Sequence, residues 1–205
     1  MSILEKLNDR QRKAAEKIEG ALLILAGAGS GKTRTITYRI AHMIQELGIS
    51  PYKILAVTFT NKAAKEMKER VEDLVGEDGR RTMVSTFHSF GVRLLRTYGD
   101  RLGYGANFTI YDADDQKRVV KGIMKELVVK DKNLTEGMVV SLISKLKEEE
   151  ISADEYEKSE NKYNMNAVVV AEIYRRYNIT LKNNNGMDFS DILINTAKLL
   201  EIPDM

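Results

Sequence analysis

The sequence predicts an α/β fold in which a parallel sheet flanked by helices is followed by a mostly helical unit. Three observations predict it. Three short apolar or β-prone runs, Ala21–Ala26, Ile54–Phe59 and Thr82–Thr86, each lead into a stretch with helical spacing of apolar residues. A glycine-rich turn, Gly27 to Gly31, joins the first run to the first of those helices. Beyond about Arg101, strand-like runs become scarce and capped helical stretches take over. Strands alternating with helices favour a parallel sheet, and ligands of such sheets sit at the carboxyl ends of the strands.

Taken in order, Ser2 to Gly20 reads as a short helix with Asn8 as N-cap and Leu7, Ala14, Ala15 and Ile18 facing inward. Ala21–Ala26 reads as a buried strand. Ile36, Ile40, Met43, Ile44 and Leu47 then recur at helical spacing, and Gly48 and Pro51 mark a turn. After Ile54–Phe59 comes a helix with Ala63, Ala64, Met67, Val71 and Leu74 on one face and Lys62, Lys65, Lys68 and Arg70 elsewhere. Gly76 to Arg81 reads as a polar turn before Thr82–Thr86. Phe90, Leu94, Leu95 and Tyr98 form the next helical face. In the second half, Asp112 is a candidate cap for a helix reaching about Val128. Thr135 caps another, with Met138, Leu142, Ile143 and Leu146 inward. Asp154 to Asn164 reads as loop, Val168 to Leu181 as helix, Asn183 to Gly186 as its break. Phe189 to Leu200 reads as a final helix capped by Asp188.

The 26–33 segment carries the chemistry. Gly27, Gly29 and Gly31 allow a tight turn that aims backbone N–H groups at phosphate oxygens, and the helix N-terminus behind them adds partial positive charge. Lys32 can reach β- and γ-phosphates, and the Thr33 hydroxyl can ligate Mg²⁺. The alternative is a βα turn that binds nothing. The general pattern G-x-x-x-x-G-K-[ST] opens on glycine, whereas this chain has Ala26 there, small enough to keep the turn. Gln11, taken alone, reads as a solvated glutamine.

Composition narrows the classes. The 205 residues are 43% hydrophobic and 30% charged, enough for one large domain or two small ones. There is no cysteine and only two histidines, which leaves no disulfide framework and too few imidazoles for a histidine metal cluster. No apolar run approaches the roughly 20 residues of a membrane span, and the start lacks a signal-peptide core, so a cytoplasmic protein is expected. The net charge of +2 divides into +5 over residues 1–100 and −3 over 101–205. A mildly basic first half suits a polyanionic partner.

Several stretches in this order resemble the UvrD, PcrA and Rep group of superfamily 1 DNA helicases. LNDRQRKAA (7–15) is similar to the family's Q motif, and AGAGSGKT (26–33) to its motif I, where an opening alanine is usual. ILAVTFTNKAAKEM (54–67) is similar to motif Ia, and VSTFHSFGVRLLR (84–96) to the block after it. FTIYD (108–112) and the Met187–Leu193 stretch resemble segments around the helical insertion.

The resemblance implies the front part of a RecA-like P-loop NTPase domain over residues 1–100 and a helical inserted subdomain over 101–205. It implies ATP and Mg²⁺ as cofactors. Ala26, Gly27, Ala28, Gly29, Ser30, Gly31, Lys32 and Thr33 would hold the phosphates and metal, Gln11 would read the adenine edge, and Arg34 would flank the ring. Phe59, Thr60, Asn61 and His88 would line a single-stranded DNA track. Phe59 has a core position as its alternative, and His88 a structural role. His42 matches no motif and is assigned to packing or surface. The implied partners are single-stranded DNA, single-strand/duplex junctions and a C-terminal RecA-like domain. The family's Walker B aspartate–glutamate pair does not occur in these residues, so an N-terminal fragment is expected, inactive alone. The expected activity of the whole is ATP-driven 3′ to 5′ translocation. A P-loop kinase and a non-enzymatic nucleic-acid module with a vestigial loop are the other readings.

Overall fold

A computed structural model describes residues 2–131, 133–159 and 165–203. The chain forms two compact units, Met1–Phe90 and Gly91–Met205. Among the described residues both are mixed α/β and mostly helical, each with one small parallel sheet. Among the described residues no helix is long and apolar enough to cross a membrane.

The first unit opens with a 3-10 turn, Ile3–Lys6, capped by Ser2, and then α1 (Asp9–Glu16). Asn8 caps α1 as expected. Its side chain accepts from the Gln11 N–H, while Gln11 reaches back to the Asn8 N–H. Next come α2 (Lys32–Gln45), β1 (Leu55–Thr58), α3 (Asn61–Val75), α4 (Glu77–Arg81) and β2 (Met83–Thr86); α5 (Phe87–Tyr98) then begins. Strands β1 and β2 pair in parallel, in the register Leu55 with Met83 to Thr58 with Thr86. The core is built where the predicted faces meet. Ile40 and Ile44 of α2, Ile54 and Ala56 around β1, and Met67 and Val71 of α3 form one buried cluster. Leu4, Leu7 and Ala15 form a smaller one against Ile3 and Tyr38.

Two expectations for this unit are corrected. Residues 21–26 are neither strand nor buried: Leu23 is 80% and Leu25 85% exposed. An extended segment becomes a strand only when its N–H and C=O groups find a ladder partner, and β1 and β2 are paired with each other. Residues 77–81, expected as a turn, form α4. Its acidic first turn and basic last turn suit the helix dipole. Arg80 pairs with Glu72 at 2.5 Å and Glu77 at 2.9 Å. Gly79 lets the backbones close, since a Cβ there would lie 2.6 Å from the Glu72 Cα.

The second unit holds α6 (Ala113–Glu126), α7 (Glu136–Glu148), α8 (Ala153–Ser159), α9 (Met165–Asn183) and α10 (Phe189–Leu200). Its strands are β3 (Thr109–Tyr111) and β4 (Gly186–Asp188), paired in parallel. The caps Asp112, Thr135 and Asp188 all bond the first-turn amides of their helices. The expected loop over 154–164 is instead helical as far as Ser159, and residues 160–164 lie outside the described residues. Met138, expected inside, is 59% exposed. Val120, Val139, Ile143, Ile173 and Leu181 centre one core cluster, and Leu95, Phe108, Met187, Ile192 and Leu199 centre another.

A buried polar knot ties three helices of this unit. Lys147 of α7 is only 5% exposed and sits at the end of the apolar row Ile143, Leu146. Its Nζ donates to Asp188 Oδ2 at 2.8 Å and Asp191 Oδ1 at 2.7 Å. The Tyr177 hydroxyl of α9 donates to the same Asp188 Oδ2 at 2.9 Å. The remaining Asp188 oxygen caps α10 by accepting from the Asp191 N–H at 2.8 Å. Burial pushes the Asp191 carboxyl and the Tyr177 phenol above their ordinary ranges, with the Asp188 charge adding to both.

Candidate nucleotide-binding site

The glycine loop needs backbone that other residues adopt at a cost. Gly29 has φ of 76° and Gly31, the N-cap of α2, has φ of 84°. Ser30 Oγ donates to the Gly27 carbonyl at 2.7 Å, closing the turn. The Lys32 Nζ folds back over the loop, donating to the carbonyls of Ala26 at 2.8 Å and Gly27 at 2.7 Å. Thr33, in the first turn of α2, is exposed, as are Ala28 and Lys32. A Cβ at Gly27 or Gly29 would meet no heavy atom within 4 Å, so the mouth of the loop is open.

Gln11 is not a merely solvated side chain. Its Nε2 donates to the Ser30 carbonyl at 3.0 Å across 19 residues of sequence, while its Oε1 accepts from the Asn8 N–H at 3.2 Å. A Cβ at Gly31 would lie 2.7 Å from that Nε2, so any larger residue there would displace the Gln11 amide as well as strain the backbone at φ of 84°. Arg34 donates to the Lys6 carbonyl at 2.8 Å, and its guanidinium lies over the Tyr38 ring at 5.4 Å. These bonds bring Gln11, Ser30, Gly31, Lys32 and Arg34 together.

A second group stands at the end of the β1–β2 sheet. The parallel register puts Thr58 beside Thr86, so Phe59 and Phe87 leave the sheet side by side. Their ring centroids are 5.7 Å apart with a 51° tilt. Phe59 is 91% exposed, which removes the core alternative. Thr60 caps α3 by accepting from the Ala63 N–H at 3.1 Å, and Asn61 follows as its exposed first residue. His88 is half-buried in the first turn of α5. The Thr86 hydroxyl donates to Ser89 Oγ at 2.9 Å and accepts from the Ser89 N–H. Phe87 lies within the strand-end stretch Thr86–Ser89 that the sequence marks as a candidate, although only His88 is singled out there. Its signal was the repeated Thr-Phe that ends both strands, Thr58-Phe59 and Thr86-Phe87.

Residues 7–204 match the UvrD/REP helicase N-terminal domain. The chain belongs to the UvrD/REP helicase family. It is 45% identical over 200 residues to the ATP-dependent DNA helicase PcrA of Staphylococcus epidermidis, a match covering 98% of this chain and 27% of that protein. It is 43% identical over 205 residues to the PcrA of Staphylococcus aureus, covering 100% of this chain and 28% of that protein. The chain thus spans just over a quarter of the length of these relatives. The glycine loop and both strand-end Thr-Phe pairs lie within the matched residues.

Proposed function

We propose that this chain is the ATP- and single-stranded-DNA-binding front part of an ATP-driven DNA helicase. The observation that carries the reading is the Gln11 bridge to the loop: a side-chain amide is fixed beside an open phosphate cradle, where it can present donors and acceptors to a base. The site fits Mg–ATP. The loop glycines leave room for phosphate, and Lys32 already places its cation among oxygen acceptors that phosphate oxygens would replace. Among the described residues no group of three or more Asp, Glu, His or Cys side chains could hold a metal. The Thr33 hydroxyl would offer Mg²⁺ one oxygen ligand beside those of phosphate and water, a donor type suited to a hard, small cation. Bound Mg–ATP supplies the phosphoanhydride whose cleavage drives the cycle.

The residues divide the work. Amides of 27–31 and the start of α2 bind phosphate, Lys32 neutralises charge developing at the β- and γ-phosphates, and Gln11 and Arg34 hold the adenine. Phe59 and Phe87 offer ring faces on which bases stack without regard to sequence, while Thr60, Asn61 and His88 supply polar contacts to the strand. Residues 1–100 are the RecA-like part and 101–205 the inserted subdomain. The exposed 21–26 run takes its sheet partners from the longer protein. A C-terminal RecA-like domain closes over ATP, and translocation runs 3′ to 5′ in the cytoplasm, with single-strand/duplex junctions as substrate.

The test is ATP hydrolysis by the full-length protein, with and without single-stranded DNA. Stimulation by DNA is expected, together with a loss on the order of a thousandfold in Lys32→Ala at unchanged nucleotide-free DNA affinity. Hydrolysis indifferent to DNA, or a Lys32→Ala variant that loses DNA binding in parallel, would refute it.

A further inference from the structure

The bridge that fixes Gln11 has a support of its own. Helix α1, which carries Gln11, has eight residues, too few to be stable alone. Its C-terminal carbonyls are among the groups a helix leaves without intrahelical partners. Arg39, from the middle of α2, supplies them. Its Nη1 donates to the Ala14 carbonyl at 2.7 Å and its Nη2 lies 3.4 Å from the Ile18 carbonyl, beyond the helix end. The guanidinium is half-buried between the two segments, and burial lowers its pKa from the ordinary value. A cation at a helix C-terminus is also favoured by the helix dipole. Arg39 and Lys32 stand on one rigid helix, so the clamp refers α1 to the same body that carries the phosphate loop. The other end of this segment is tied to the C-cap of α2: Glu46 accepts from the Ile3 N–H at 2.6 Å and from Ser2 Oγ at 3.1 Å. These contacts, more than local propensity, decide where Gln11 stands.

We propose that Arg39 is a positioning residue for base recognition: by clamping the end of α1 it holds Gln11 at the lip of the phosphate loop. The inference rests on the nucleotide reading of that loop. Arg39 does not itself touch the loop, so its removal acts on the base contact and leaves the phosphate cradle intact. Lysine offers a point charge without the fork that reaches two carbonyls, so Arg39→Lys restores only part of the effect.

The experiment is calorimetric titration of full-length wild type, Arg39→Ala, Arg39→Lys, Gln11→Ala and the Gln11→Ala/Arg39→Ala double variant with Mg–ATP and with Mg–tripolyphosphate, which has no base. Arg39→Ala is expected to weaken ATP roughly two- to tenfold, the scale of one hydrogen bond, while tripolyphosphate binding stays within twofold of wild type. The double variant is expected to bind ATP no more weakly than Gln11→Ala alone, because both act on one contact. If Arg39→Ala does not fold, as judged by its melting curve, Arg39→Lys carries the same comparison. Unchanged ATP affinity in a folded Arg39 variant, or equal losses for ATP and tripolyphosphate, would overturn the positioning role. A wild-type protein that binds neither compound would instead overturn the nucleotide reading, and the inference with it.

Discussion

Replacing Phe59 by alanine separates binding from folding, because the structure leaves the ring almost wholly outside the core. At 91% exposure it buries little apolar surface, and its one described ring partner, Phe87, is itself 44% exposed. A core phenylalanine costs about 3–5 kcal/mol when truncated, whereas losing this tilted edge contact costs about 0.5–1.5 kcal/mol at most. The expected fall in Tm is therefore no more than a few degrees. Loss of a base-stacking ring costs about 1–3 kcal/mol, or roughly five- to 150-fold in affinity for single-stranded DNA. Stacking does not read base identity, so mixed and homopolymer oligonucleotides lose alike. Phenylalanine carries no charge, so the slope of affinity against salt stays fixed while the line drops. Fluorescence anisotropy on the full-length protein at several salt concentrations, beside a melting curve, measures all three. A folded Phe59→Ala variant with wild-type DNA affinity would refute the reasoning, as would a loss confined to one base composition.

Two further outcomes concern the polar knot in the second unit. Lys147→Met strands the buried Asp188 and half-buried Asp191 carboxylates and is expected to cost about 3–5 kcal/mol, roughly 6–20 °C in Tm for a chain of this size. The deficit shrinks as pH falls, because Asp191, already pushed up by burial, takes a proton more readily once the lysine is gone. A small loss independent of pH, in melting curves from pH 5 to 8, would contradict this. Tyr177 has its pKa raised in the folded state, chiefly by burial, so its contribution is complete below the unfolded value near 10 and is lost as pH rises above it. Tyr177→Phe should lower stability at pH 8 yet flatten the alkaline decline by about one proton, about 1.4 kcal/mol per pH unit, in urea titrations between pH 9 and 11. An unchanged slope would remove Tyr177 from the titrating set.

What was legible in the sequence was short-range. Asn8, Asp112, Thr135 and Asp188 were readable as caps because a cap depends on residues within one turn of it. The helix over 153–159 was readable by the same rule and missed: Ser152 and Glu155 form a capping box. Long-range dependence hid the rest. Leu22 to Leu25 is as apolar as a buried strand, but strand formation needs an edge that local pattern does not reveal. The Gln11 bond to the loop could not be read locally, since its partner Ser30 lies 19 residues away. Lys147 looked like any charged helix residue. Its place four after Ile143 and one after Leu146 put it on a face that folds inward.

Two groups of exposed apolar side chains in the first unit differ in physical kind, and the difference bears on function. Leu23 and Leu25 lie on backbone outside the β1–β2 sheet, so the segment presents exposed aliphatic side chains together with main-chain amides and carbonyls that this sheet does not pair. Such a surface calls for another strand. At Phe59 and Phe87 the backbone is already committed. Both rings sit where a paired strand passes into a helix, and the hydroxyls of Thr60 and Thr86 accept from first-turn amides there. What these junctions still offer is ring surface, two faces about 6 Å apart and inclined to each other. A flat partner such as a nucleobase can cover a ring without needing main-chain hydrogen bonds.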